Sequence, residues 1–525
     1  MSTLIVDPNL KDIYFRHTER NVAVVVENGK PVVLYSKNVD EITELRNYIK
    51  TTESLEGGVF YGVIPAARKV EQSQIDQCFV NFGKDMSGYD NFSEEEKGVL
   101  GTKLAEILQE AANCKCSDVH IEVYEDKTLI KFRVYGQRRL FREVPEHAEG
   151  RRLASYIFMS KAKEKIADFK ARSINEGRIF EKLNIDGELR MTSWRVAWLP
   201  ATGGGKITMR WVNANSKIPD LETLGFEPGQ IAAIEEFKQS DSGLMLFCGK
   251  VNAGKTTSIF SILDSLDRSE SVHTFEDPPE TILRDVIQTH VEPHVKVDES
   301  SDEYRDFHYY GKATLRHDPD WEMYGELRDQ NTAMQALRKG DTGQKVIASM
   351  HTSGVLGIPP ALIEHFKVEP SLVASSDLIR VMVYQALVRR VCANCSLDYE
   401  TWKSQASDEK IRHAENAISH LKLDANEISN LRFKSGCGCS ACDHEGEFGR
   451  TLLVEMAVID DEDRVYFQNR DYLGWKHHLY GKGFKDIKDH GVVRLVRGEI
   501  DLFTMEKRVG RIVPIETSKR YGEII

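Results

Sequence analysis

The stretch GLMLFCGKVNAGKTTS, Gly243 to Ser258, decides the fold. Apolar residues run into Gly249, a second glycine follows at Gly254, and Lys255, Thr256 and Thr257 open the next segment. A loop that holds phosphate needs a strand that delivers the chain to a tight turn, backbone N–H groups converging on the anion, and a helix whose N-terminus faces it. Here LMLFC is the strand, Gly249 to Gly254 the loop, and Ile259, Ile262, Leu263 and Leu266 the buried stripe of the helix. A plain glycine-bearing turn is the competing reading. On average residue usage the bare pattern GxxxxGK[ST] arises in about 2 of 100 chains this long, and its flanks make it rarer still. The expected nucleotide-binding residues are Gly249, Asn252, Ala253, Gly254, Lys255, Thr256 and Thr257. Lys255 would reach the β and γ phosphates of ATP, and the Thr256 hydroxyl would ligate Mg²⁺.

Downstream, short apolar strands alternate with helices, among them SVHTFED (271–277) and QKVIASMHT (344–352). That alternation predicts a parallel sheet covered on both faces, an α/β fold. Hydrolysis also needs carboxylates near the loop, to hold the metal's waters and to direct the attacking one. Glu276 and Asp277 in TFEDPPE and Glu326 in WEMYGELRD stand where neighbouring strands end.

Upstream the pattern differs. Residues 1–95 carry NVAVVVENGKPVVLYS, a hairpin signature around Asn28 and Gly29, and no chemical motif. Residues 96–215 read as a helix followed by several strands, an α+β domain in which His120 is a packing residue. Residues 216–222 read as a linker, and 223–525 as the nucleotide-binding domain, with a cysteine segment at 392–450.

Cys392 and Cys395 form one CxxC and Cys439 and Cys442 another. Four thiolates at knuckle spacing suit a tetrahedral, structural Zn²⁺. Cys437 could replace Cys439 in the set, and the long spacer between the pairs is expected to form protruding helices. Cys114 and Cys116 read as structural.

The chain has 525 residues, 41% of them hydrophobic, nine cysteines and a formal net charge of −12. Length alone suggests several domains. The charge argues against a protein that works by neutralising nucleic-acid phosphates. No run of about 18 uninterrupted apolar residues occurs and the N-terminus lacks a signal-peptide pattern, so the expectation is a cytoplasmic protein with reduced thiols.

With these residues in view, the chain resembles, over roughly 100–515, the hexameric secretion ATPases of the GspE and PilB type, which drive type II secretion and type IV pilus assembly. GKVNAGKTT matches the family's phosphate loop, TFEDPPE its acidic box, LRHDPDWEMYGELRDQNTAMQALRKGDTGQ its Walker B segment and ASMHTSG its histidine box. CSDVHIE, KFRVYG, NEGRI and WRVAWLP resemble blocks of its second N-terminal domain, and CGCSACDHEGEFGR resembles its cysteine segment, favouring Cys439 over Cys437. The resemblance implies a RecA-like core with a PAS-like N-terminal domain, ATP bound in the cleft between them, and a homohexamer at the cytoplasmic face of the inner membrane. Its implied partners are an inner-membrane platform protein and a cytoplasmic assembly protein. It makes Glu326 the catalytic glutamate, Glu276 an organiser of metal and water, and His351 a γ-phosphate sensor. Arg195 and Arg210 match arginines that the N-terminal domain swings toward nucleotide, although spacing from the upstream side would select Arg190 over Arg195. The cysteine segment favours pilus extension over retraction, and the poorly matched first 95 residues point to a type IVb pilus subgroup. A type II secretion ATPase, a DNA translocase and a nucleotide-gated scaffold are the rival readings.

Three departures from the family stand out. Asn252 and Ala253 occupy positions usually held by Gly and Ser; Asn tolerates positive φ best after Gly, so the loop keeps its shape. Glu322 interrupts the Walker B strand, where a buried carboxylate needs a partner, so that strand is expected nearer an edge or solvent. Glu447 replaces an aromatic residue.

Overall fold

The computed structural model describes residues 3–5, 10, 21–37, 41–52, 59–78, 93–145, 147–163, 173–185, 187–212, 218–514, 517–522 and 524. The chain divides into two compact units, Met1–Trp211 and Val212–Ile525. Of the expected linker, Ser216 and Lys217 lie outside the described residues. Among the described residues no helix is long and apolar enough to cross a membrane.

Among the described residues the first unit holds two sheets. In one, β1 (Thr3–Leu4), β2 (Val22–Glu27), β3 (Lys30–Tyr35) and β4 (Ala66–Lys69) lie in that order. β2 and β3 form the hairpin foreseen at Asn28-Gly29, whose φ angles of 52° and 75° are those of the two-residue turn that matches strand twist. The second sheet has six strands, β5 (Asp118–Val123), β6 (Thr128–Val134), β7 (Gln137–Val144), β8 (Asn175–Ile185), β9 (Glu188–Ala201) and β10 (Gly204–Val212), ordered β7-β6-β5-β10-β9-β8. Alternation along β5 sends Val119, Ile121 and Val123 into a core shared with Leu104 and Leu108 of the helix Glu94–Asn113. Asp118, His120 and Glu122 take the other face, where Arg210 Nε donates to Asp118 (2.8 Å) and Lys131 Nζ to Glu122 (2.6 Å). His120 is buried there and, among the described residues, neither ring nitrogen has a hydrogen-bond partner.

The second unit is built on seven strands: β11 (Gly243–Cys248), β12 (Val272–Glu276), β13 (Ile287–His290), β16 (Trp321–Tyr324), β17 (Lys345–Met350), β18 (Ile379–Val391) and β19 (Glu447–Val458). A two-stranded ribbon, β14 (Glu292–Lys296) and β15 (Tyr304–Arg305), stands apart from them. The order is β13-β12-β16-β17-β11-β18-β19, parallel except for the β18–β19 pair. Every residue of β11, β12 and β16 is buried, as helices on both faces require. Because β17 and β18 flank β11, the loop after β11 emerges between neighbouring strand ends, where α/β sheets bind ligands.

Two expectations are corrected. β16 lies inside the sheet between β12 and β17, not near an edge, and Glu322 is buried because Lys339 Nζ meets its carboxylate at 2.6 Å, with Thr314 and Tyr324 completing its hydrogen bonds. The cysteine spacer does not protrude. Its helix Asp408–Leu421 turns Ala414 and Ala417 into the main core, and Trp402 stacks on Phe433 with ring centroids 4.1 Å apart. Small and aromatic side chains at helical spacing give the spacer a face to bury, which its length alone did not reveal. Glu447 is also buried, held by Arg389 (3.0 Å), Lys434 (3.2 Å) and the Thr504 hydroxyl (2.6 Å), so it ties β19 to a C-terminal helix.

Candidate nucleotide site

The loop after β11 owes its shape to three residues with positive φ: Gly249 (154°), Asn252 (61°) and Gly254 (87°). A Cβ on Gly249 would lie 2.7 Å from the carbonyl oxygen of Gln385, so only glycine lets β18 pass that close. Asn252 takes the left-handed conformation, which Asn tolerates. The Gln385 amide, buried in the middle of β18, donates to the Ala253 carbonyl at 2.9 Å and braces the turn from below.

Lys255, Thr256 and Thr257 open the helix Lys255–Asp264, so their N–H groups belong to the first helical turn, where anions are favoured. The Lys255 ammonium folds over the loop and donates to the Gly249 carbonyl at 3.1 Å. Burial lowers its pKa, while the nearby Glu326 carboxylate opposes that shift.

Carboxylates arrive from the ends of β12 and β16. Glu276 is 4% exposed, and one of its oxygens accepts from the Thr274 hydroxyl (2.6 Å) and the Gln288 amide (2.9 Å). Burial pushes its carboxyl up, against those two hydrogen bonds. Asp277, the next residue, is more open and accepts from Arg328 Nη1 at 3.0 Å.

Glu326 follows β16 on a tethered backbone: the Gly325 N–H donates to the Phe275 carbonyl (2.9 Å), the Leu327 N–H to the Ser349 carbonyl (2.8 Å), and the Ser349 hydroxyl to the Gly325 carbonyl (2.6 Å). Its two carboxylate oxygens meet different partners, Arg328 Nε at 2.7 Å and His351 Nε2 at 3.2 Å. His351, just past β17, places Nδ1 2.9 Å from the Gly249 carbonyl. A carbonyl only accepts, so Nδ1 carries the proton of that bond.

Lys255 and His351 thus share the Gly249 carbonyl, His351 reaches on to Glu326, and Arg328 links Glu326 to Asp277, whereas one Glu276 oxygen is taken by Thr274 and Gln288. Arg195 and Arg210 belong to the first unit; Arg195 lies opposite Arg178 on β9, and Arg190 pairs with Glu188 at 2.6 Å. Arg328 and Gln385 were missed in the sequence. A polar residue inside the apolar run VMVYQALV, and a cation two residues after Glu326, were the available signals.

The Thr256 hydroxyl, on the helix that opens after the loop, and the carboxylates of Glu276, at the end of β12, and Glu326, following β16, are hard oxygen donors of the kind Mg²⁺ takes. Elsewhere in the unit, Cys392 at the end of β18 and Cys439 and Cys442 before β19 converge with Cys395. Sulfur separations of 3.8 Å (Cys392–Cys439), 3.7 Å (Cys395–Cys442) and 3.8 Å (Cys439–Cys442) equal the edge of a tetrahedron with Zn–S bonds of about 2.3 Å. The four could hold Zn²⁺ with no open position; Cys437 lies outside the set and is exposed.

A phosphate loop at the carboxyl ends of a mostly parallel sheet, with a glutamate and a histidine from the neighbouring strands, defines a RecA-like P-loop nucleotide-binding fold. The match of residues 93–507 to the model of the Type II/IV secretion system protein family goes further, and the chain belongs to that family. It is 30% identical over 411 residues to the type IV pilus assembly ATPase PilB of Thermus thermophilus, covering 78% of this chain and 42% of that protein. It is 31% identical over 437 residues to the type II secretion system protein E of Dickeya dadantii (82% and 80%), and 32% over 365 residues to the type II secretion system ATPase E of Vibrio cholerae (69% and 65%). The match thus spans less than half the length of the PilB relative. In three dimensions the chain shares its fold with the Legionella pneumophila ATPase DotB, at a TM-score of 0.55 and 18% identity, over 77% of this chain and 95% of that one.

Proposed function

We propose that this protein is a Mg²⁺-dependent ATPase that works as a homohexameric motor of type IV pilus assembly, adding pilin at the cytoplasmic face of the inner membrane. The observation that carries the enzymatic part is the convergence of Lys255, Glu326 and His351 on the loop beginning at Gly249. The loop N–H groups and Lys255 bind the triphosphate. Glu326 orients the attacking water and takes its proton as the bond from the γ phosphorus to the β–γ bridging oxygen breaks. His351, tied to both Gly249 and Glu326, couples loop occupancy to the glutamate. Thr256 and Glu276 would hold Mg²⁺ and its waters; the ion, when bound, would neutralise charge developing on the phosphoryl oxygens.

The PilB relative and the cysteine segment support pilus extension. A type II secretion motor is the second reading, favoured by the matches to the E proteins of that system over most of their length. Platform and assembly proteins of one of these machines are the partners in either case. Steady-state ATP hydrolysis by Glu326→Gln should fall by roughly 10² to 10⁴. An unchanged rate would remove Glu326 from the chemistry, and acceleration by single-stranded DNA would revive a translocase.

A further inference from the structure

We propose that Arg328, bridging Glu326 and Asp277, is the positioning residue that fixes the orientation of the Glu326 carboxylate for reaction. This rests on the reading of Glu326 given above. The backbone of Gly325–Leu327 is already held by hydrogen bonds to β12 and β17, so the side-chain torsions of Glu326 are what remain to be set. One oxygen meets His351, and the other accepts from Arg328 Nε at 2.7 Å. The guanidinium is itself anchored twice more: Nη1 donates to Asp277 at 3.0 Å, and Cζ lies 5.8 Å from the ring centre of buried Phe307.

Two nitrogens of one rigid plane thereby meet carboxylates from the ends of two adjacent strands, β12 and β16. A lysine ammonium at this position would be a point donor without the fork that spans both. The Arg328 side chain is 44% exposed, and ion pairs at such exposure contribute little to folding. A structural explanation for the bridge is therefore weak, and orientation of the glutamate is what it accomplishes. Small misplacements of a reacting group are costly to rate, so the bridge should act on kcat.

The test uses the full-length chain with Arg328→Ala, Arg328→Lys, Asp277→Ala, the Arg328→Ala/Asp277→Ala double variant, and Glu326→Gln as reference. Steady-state kcat and KM for ATP, affinity for a fluorescent ATP analogue, and Tm are measured on each. Arg328→Ala should lower kcat by about 10- to 100-fold with KM and analogue affinity within about threefold, and Arg328→Lys should not restore it. Asp277→Ala should lower kcat less, and the double variant should be no worse than Arg328→Ala, because the two act as one unit. Retention of kcat within about twofold by Arg328→Ala, while Glu326→Gln loses activity, overturns this proposal alone. Parallel losses of kcat, analogue affinity and Tm would also overturn it, by reducing Arg328 to a folding residue. Full activity in Glu326→Gln would overturn the glutamate's role and the proposal with it.

Discussion

The carboxylate of Glu322 and the ammonium of Lys339 lie 2.6 Å apart in the interior of the second unit, with 0% and 3% of their side chains exposed. One comes from β16 and the other from the helix Gln330–Asp341 that covers it. Removing one member strands a charge where water cannot reach it. Glu322→Leu should cost about 3–5 kcal/mol in denaturant unfolding, and adding Lys339→Met should recover most of that loss. A single variant within about 1 kcal/mol of the parent would mean that the pair is neutralised or hydrated in solution.

Lys255 is the cation built into the loop, its ammonium already at the Gly249 carbonyl. Lys255→Ala removes the donor expected to reach the β and γ phosphates, and binding of a fluorescent ATP analogue should become undetectable at concentrations that saturate the parent. Undiminished affinity would count against the loop as a triphosphate site.

The tetracysteine cluster predicts one zinc per chain by metal analysis under reducing conditions, lost in the Cys392→Ser/Cys395→Ser double variant. Cys437→Ser should retain the metal, because the exposed Cys437 lies outside the cluster. Removing the ion should lower Tm, since it ties the end of β18 to the start of β19 around the spacer that carries Trp402 into the core.

Glu455 gives a pH dependence with a definite sign. Burial on β19 raises its carboxyl from 4.5 to about 7, although the Val355 and Ile487 N–H groups pull it down. The folded state therefore holds a proton that the unfolded chain releases between about pH 4.5 and 7, and stability from this group falls as pH rises through that window. Relative to Glu455→Gln, the parent should lose roughly 3 kcal/mol across it and change little above. A Tm difference between the two that stays flat from pH 4.5 to 7.5 would rule this out.

Much of the architecture was legible in the chain. The loop at Gly249–Gly254, the Asn28-Gly29 hairpin, the strands 243–248, 272–276 and 345–350 and the stripe Ile259, Ile262, Leu263 and Leu266 all follow from patterns a few residues long. Such patterns are readable because they reflect rules internal to one segment: which residues accept positive φ, and the periods with which helices and strands present side chains. The expectation for Glu322 shows where that reading ends. The need for a partner was correct, but the partner, Lys339, sits in a covering helix, and only the order of strands tells whether β16 is an edge.

By itself, then, the amino-acid order determined the class of core, the phosphate loop and the supply of thiols for a metal. Tertiary structure alone decided that Arg328 spans Glu326 and Asp277, that Gln385 braces Ala253, and that the cysteine spacer packs one face, through Trp402, Ala414 and Ala417, onto the core. Each of these joins residues from separate elements, and the distance between such residues is set by sheet order and packing, which no local period encodes.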